Sequence, residues 1–174
     1  MNMATYDLGR GLSLERRFSA PPHVVFEAWT RAELLDWFFN PGMPHDVPTT
    51  VDLRVGGQWR QQMVIDGDTR YVTGGLYRQI VPGEKLVFIW GAVGGWPELD
   101  LEKPDDCPLC TVELRPEGAG TVMDFRLELP DHLTEQAARD WLATMGNGWG
   151  MTIDRLVAVY PPRGAPARHA ARAG

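Results

Sequence analysis

The chain has 174 residues, 44% of them hydrophobic, with 17 basic against 23 acidic side chains and a net charge of −6. That length fits one globular domain with a real core, because a domain of this size buries roughly 70% of its unfolded surface. The acidic balance repels phosphate backbones and anionic membranes, and no basic cluster precedes the tail after Tyr160, so neither nucleic-acid binding nor membrane insertion is expected.

Residues 1–11 read as an N-terminal extension. They lack the apolar run of a signal peptide and the length of a membrane span, which makes the cytoplasm the expected location. Leu12, Leu14 and Phe18 then alternate with polar residues as in a half-buried edge strand, with Arg16 on the apolar face. Ala20-Pro21-Pro22 stops the strand, and Val24, Val25, Ala28 and Trp29 mark a short helix with Pro22 in its first turn. A second helical piece runs through Leu34, Leu35, Trp37 and Phe38 and ends at Pro41, Gly42 and Pro44.

An antiparallel meander comes next: Val47 to Leu53, a Gly56-Gly57 turn, Gln58 to Ile65, a turn at Asp66-Gly67-Asp68, and Thr69 to Val81. Tyr77 and Gln79 share one face of that last strand, and a bulge at Gly74-Gly75 would shift its phase, so its inward face stays open. Pro82-Gly83-Glu84 turns into Lys85 to Trp90. After a long loop from Gly91 to Pro108, Leu109 to Leu114 and Thr121 to Leu129 form a hairpin around Pro116-Glu117-Gly118.

Asp131 and Thr134 are candidate N-caps for a final helix of about 25 residues, roughly 38 Å long. Its stripe is Ala138, Trp141, Leu142, Met145, Trp149, Ile153, Leu156, Val157 and Tyr160, interrupted by Gly146, Gly148 and Gly150. Each interior glycine costs roughly 1 kcal/mol relative to alanine, so the helix is expected to roof a hollow, with Met145 and Trp149 pointing into it. The element order gives an α+β fold, in which the long helix covers the apolar face of the sheet. Residues 161–174, rich in Pro, Ala and Arg, read as a disordered tail.

Enzyme and metal motifs are absent. Ser13 and Ser19 lie outside any Gly-x-Ser-x-Gly elbow, and Lys85 and Lys103 fall in a turn and a loop. His23, His45, His132 and His169 form no ligand pair, and Cys107 and Cys110 lack a second pair for zinc. The acidic run from Glu98 to Asp106 has no calcium-loop spacing. No catalytic residue, cofactor or metal is therefore expected. Arg16 either snorkels or orients an anionic ligand head, and the second role requires a carboxylate from protein or ligand.

Ser19-Ala20-Pro21 with Val25-Phe26-Glu27-Ala28-Trp29-Thr30, Trp37-Phe38-Phe39-Asn40-Pro41, and Asp52-Leu53-Arg54-Val55-Gly56-Gly57 form an ordered series. It continues through Gly75-Leu76-Tyr77-Arg78-Gln79-Ile80, Phe88-Ile89-Trp90, Gly120-Thr121, and Gly148-Trp149 before Asp154-Arg155-Leu156. Over residues 12–160 the chain resembles the START-like (SRPBCC) superfamily, in particular the branch similar to the activator of heat-shock protein 90 ATPase. The resemblance implies a helix-grip (Bet v-like) fold: a curved antiparallel sheet wrapped around a long C-terminal helix, with two short helices after the first strand and an internal hydrophobic cavity. The expected lining is Arg16, Trp37, Trp59, Met63, Tyr77, Phe88, Trp90, Met123, Phe125, Met145 and Trp149.

The expected function is binding of a small, largely hydrophobic molecule, in the class of lipid or polyketide binders. A cyclase, aromatase or hydrolase acting on such a molecule is the enzymatic alternative. A co-chaperone-like interaction domain is the third reading, and a homodimer or a chaperone stays open as partner.

Overall fold

The computed structural model describes residues 5–7, 10–38, 46–64 and 68–164. Its strands are β1 (Thr5–Asp7), β2 (Gly11–Phe18), β3 (Thr50–Val51), β4 (Gln58–Val64), β5 (Arg70–Val81), β6 (Lys85–Val93), β7 (Leu109–Glu117) and β8 (Gly120–Glu128). The helices are α1 (Pro22–Thr30) and α2 (Glu135–Val159), with 3-10 turns at Ala32–Phe38 and Pro104–Asp106. All strands join one curved antiparallel sheet in the order β1-β2-β8-β7-β6-β5-β4-β3.

Period-two patterning sets the face of each strand. Leu12, Leu14 and Phe18 of β2 stand opposite Leu127, Phe125 and Thr121 of β8, and all are buried. The inner row continues through Val112 and Cys110 of β7 to Leu86 and Phe88 of β6. It reaches Tyr77 of β5, then Trp59 of β4 through Gly75. Against this face lies the apolar stripe of α2, where Ala138, Leu142, Met145, Trp149, Ile153 and Leu156 are buried. Thr134 caps α2 by accepting a hydrogen bond from the Ala137 amide at 3.2 Å, and Pro22 occupies the first turn of α1.

Several boundaries differ from expectation. The expected strand Val47–Leu53 shrinks to Thr50–Val51, which pair in register with Arg60 and Trp59 of β4, while Val47 and Leu53 stay exposed. A strand too short to show alternation, β1, sits in the N-terminal extension and pairs with the start of β2. Among the described residues, the Arg16 end of β2 has β8 as its one strand neighbour. The phase shift in β5 falls between Tyr77 and Gln79, not at Gly74-Gly75, so Tyr77 stays on the inner face with Gly75 while Gln79, expected to share its face, is exposed. The Asp66-Gly67 part of the expected turn, the stop at Pro41, Gly42 and Pro44, His45, and the tail from residue 165 lie outside the described residues.

Gly75 has a packing reason. A Cβ there would stand 2.3 Å from Trp59 Nε1 and 2.4 Å from the Ile89 carbonyl, so only glycine lets the Trp59 indole lie across β5. In α2, Gly148 is exposed with nothing near its Cβ position, Gly146 is buried, and Gly150 lies beneath Arg16, whose Nη2 is 3.9 Å from the Cβ position.

Arg16 ties α2 to the sheet. Its Nε donates to Asp154 Oδ1 at 2.7 Å and its Nη1 to the Glu15 carbonyl at 3.0 Å. The carboxylate that a buried arginine requires comes from the protein, and the pair ties β2 to α2. The arginine side chain is 6% exposed but the aspartate is 62% exposed, so the cost of breaking the pair is asymmetric. In urea denaturation, Asp154→Ala, which strands a buried cation, should cost about 2 kcal/mol. Arg16→Met should cost less, and the double variant should resemble Arg16→Met alone. Gly75→Val should cost about 2 kcal/mol by displacing Trp59.

Candidate functional site

Trp149 is the centre of the interior. Its ring centroid lies 4.6 Å from Phe125, 5.2 Å from Trp90, 5.3 Å from Phe38, 6.4 Å from Trp29 and 6.5 Å from Phe88. Phe38 continues the cluster to Trp59 at 5.1 Å, and Trp29 to Trp37 at 4.8 Å. These rings leave a void of about 10 Å³ lined by Trp29, Leu35, Phe38, Trp59, Tyr77, Leu86 and Phe88. That is roughly the space of one water. Among the described residues, aromatic rings, chiefly the Trp149 side chain, occupy the space beside the glycine segment.

Of the expected lining, the structure brings Trp59, Tyr77, Phe88, Trp90, Phe125 and Trp149 into this layer. Trp37 sits at its edge, where its Nε1 donates to the Ala28 carbonyl at 2.9 Å. Met145 is buried one helical turn from Trp149, and Met63 closes the inner row of β4. Arg16 and Met123 stand opposite each other across β2 and β8 and line no part of the void.

Polar atoms distinguish the layer from an ordinary core. Among the described residues, Trp29 Nε1, Gln61 Oε1, Tyr77 Oη and Trp149 Nε1 are buried without a hydrogen-bond partner. Gln61 is anchored from its other end, because Nε2 donates to the Leu35 carbonyl at 2.9 Å, leaving the oxygen unpaired. Burial, with a smaller contribution from the charge of Asp52, pushes the Tyr77 phenol well above its ordinary range, so it remains neutral. An orphaned buried polar atom costs about 1–3 kcal/mol, and four of them in one layer are hard to explain by stability alone.

Gln61 was open to sequence reasoning. It stands between Trp59 and Met63 on an inward row, the same kind of polar intrusion that marks Arg16. The void-lining roles of Trp29, Leu35, Phe38 and Leu86 depend on how α1 and the 3-10 turn after it dock, which no local pattern specifies. Arg155 fixes that turn to α2: its Nε donates to the Trp37 carbonyl at 2.9 Å, and its Nη2 to the Phe38 carbonyl at 3.2 Å. Burial lowers the Arg155 pKa.

At the rim, the loop after β6 folds back through a Leu99 amide to Ala92 carbonyl bond of 3.0 Å. It places Trp96, 48% exposed, 5.0 Å edge-to-face from Trp141 of α2. The cysteines do not meet: Cys110 is on the inner row beside Phe88, while Cys107 borders an outer-face groove with Val87 and Ile89, and both are free. Burial raises both thiol pKa values, Cys110 most. No described helix is long and apolar enough to cross a membrane.

Comparison with known proteins places this geometry. A search of curated proteins gives no match. Among solved structures, protein Ms6760 from Mycobacterium smegmatis is similar at 18% identity and a TM-score of 0.70, covering 96% of this chain and 98% of that one. A protein from Rhodobacter sphaeroides is similar at 20% identity and a TM-score of 0.71, covering 91% and 97%. An HSP90 activator from Plasmodium falciparum is similar at 21% identity and a TM-score of 0.61, covering 88% and 99%. At these identities the likeness shows the fold alone. The model of the activator of Hsp90 ATPase homolog 1-like protein family matches residues 19–160, and the chain therefore belongs to that family, with its START-like α+β helix-grip fold.

Proposed function

We propose that this protein binds a small, largely apolar molecule between the sheet and α2, in the layer centred on Trp149. The observation that carries this reading is the set of four buried polar atoms without partners, two of them on void-lining residues (Trp29 and Tyr77), one on Trp149, which packs on Trp29, Phe38 and Phe88, and one on Gln61, which is bonded to void-lining Leu35. A core selected only for stability replaces such groups by apolar ones of similar shape, which is nearly neutral or stabilising. Apolar and aromatic contact supplies the affinity, and the unpaired polar atoms fix orientation. Because the void holds about 10 Å³, a larger occupant turns one ring aside. Phe38, at the end of the 3-10 turn, lines the void and packs on Trp59 and Trp149.

A second reading, a co-chaperone-like interaction domain, is favoured by the matched family and by the small size of the void. Stimulation of an Hsp90-type ATPase by the purified chain supports it, and an unchanged ATPase rate removes it.

Ligand binding has two checkable consequences. Toluene, followed by saturation-transfer NMR, should bind saturably, more tightly to Phe38→Ala and more weakly to Leu86→Phe. Absence of saturable binding to the wild type and Phe38→Ala proteins contradicts it. In the unliganded protein, Tyr77→Phe should raise stability by about 1 kcal/mol in urea titrations, since it deletes an unpaired hydroxyl. The raised Tyr77 pKa contributes stability that is complete below the ordinary tyrosine pKa of about 10. That contribution falls as pH rises above it, and Tyr77→Phe should blunt the alkaline loss.

A further inference from the structure

The chemical type of each unpaired atom says more about the occupant than its apolar surroundings do, and the class of occupant it defines rests on the ligand-binding reading. The indole nitrogens of Trp29 and Trp149 can only donate. Gln61 presents only its oxygen, because its amide nitrogen is held by the Leu35 carbonyl. The Tyr77 hydroxyl can donate or accept. Satisfying the set takes at least one oxygen acceptor for an indole N–H and one donor for Gln61 Oε1.

Charge narrows the class further. Two described cations approach this interior from α2 and β2, and both are committed. Arg16 is held by Asp154 and the Glu15 carbonyl, and Arg155 by the carbonyls of Trp37 and Phe38 and by Thr152 Oγ1. The residues lining the void are apolar or neutral, with no ionised side chain among them. An anionic ligand would enter without a counter-ion, and a cationic one without a carboxylate, each at a desolvation cost that nothing at the void offsets. Rings supply most of the walls, since Trp29, Phe38, Trp59, Tyr77 and Phe88 line the void, and such a lining suits a flat aromatic molecule.

We infer that the site takes an uncharged, flat apolar molecule carrying a hydroxyl, of the phenol class, and discriminates against carboxylates of the same shape. The hydroxyl oxygen accepts from an indole N–H, and its proton goes to Gln61 Oε1 or Tyr77 Oη. A fatty acid or another anionic lipid lies outside this class.

Three probes of nearly equal shape separate the inference from the reading beneath it: toluene, p-cresol and 4-methylbenzoate, titrated into the full chain at neutral pH. The indole N–H signals of the ¹⁵N-labelled protein are followed, with those of Trp29 and Trp149 assigned through Trp29→Phe and Trp149→Phe. The expected result is p-cresol binding about tenfold tighter than toluene, as one added hydrogen bond gives, with 4-methylbenzoate weakest. A downfield shift of the Trp29 or Trp149 indole proton should appear with p-cresol and not with toluene. Gln61→Met should bring the cresol-to-toluene ratio toward one, with Tyr77→Phe as a second variant should Gln61→Met fail to fold.

Equal binding of toluene and p-cresol, or tightest binding of 4-methylbenzoate, overturns the inference and leaves apolar binding standing. Binding of p-cresol with no movement of either indole signal also overturns it. Failure of all three probes removes the ligand-binding reading and this inference with it.

Discussion

The insertion of Trp149 between α2 and the concave sheet is the constraint on which the rest of the structure depends. One indole touches rings from α1, the adjoining 3-10 turn, β6 and β8, so a single side chain sets the distance between the helix and four other segments. Its neighbours on either side are glycines, one facing solvent and one lying under Arg16. The Arg16–Asp154 pair and the Arg155 bonds to the 3-10 turn then hold α2 from its flanks. The helix is thus fixed by a central aromatic wedge and lateral polar ties, an arrangement that leaves little free volume and transmits any displacement of the wedge to every wall.

Such a core is costly in one respect. Four polar atoms sit among rings without partners, and each retains an interaction free energy that becomes available only when something enters to satisfy it. In the proposed reading, that stored deficit links a tightly filled interior to ligand binding. It also explains how selectivity would arise without an ion pair: donor and acceptor identity, not charge, separates one apolar guest from another. Trp29, Tyr77 and Trp149 belong to the series that carries the family resemblance, and Gln61 adds a further buried polar atom to theirs.

Much of the scaffold was legible in sequence because it rests on local periodicity. The alternation in β2 and β8, the turn around Gly118 and the 25-residue final helix arise from residues that are near one another in the chain. The site was legible only in part. Tyr77 and Gln79 read as sharing a face, and the phase shift at Arg78 that parts them has no glycine to announce it, whereas Gln61 between Trp59 and Met63 carried a readable period-two signal. The α2 glycines do not by themselves locate a site: Gly148 faces solvent, Gly150 lies under Arg16, Gly146 is buried, and Trp149 supplies volume among them. Arg16 was recognisable as an anomaly, but its partner lies 138 residues away on α2, and no spacing rule connects them.

A high-resolution crystal structure of protein purified without denaturation is the most direct measurement of whether the Trp149 layer is a binding site. Ligand binding predicts electron density for a non-protein molecule within hydrogen-bond distance of Trp149 Nε1, Trp29 Nε1 or Tyr77 Oη, with Phe38 or a neighbouring ring turned aside to admit it. An interior in which those atoms bond to protein groups or to one ordered water, with every ring in place, would contradict it.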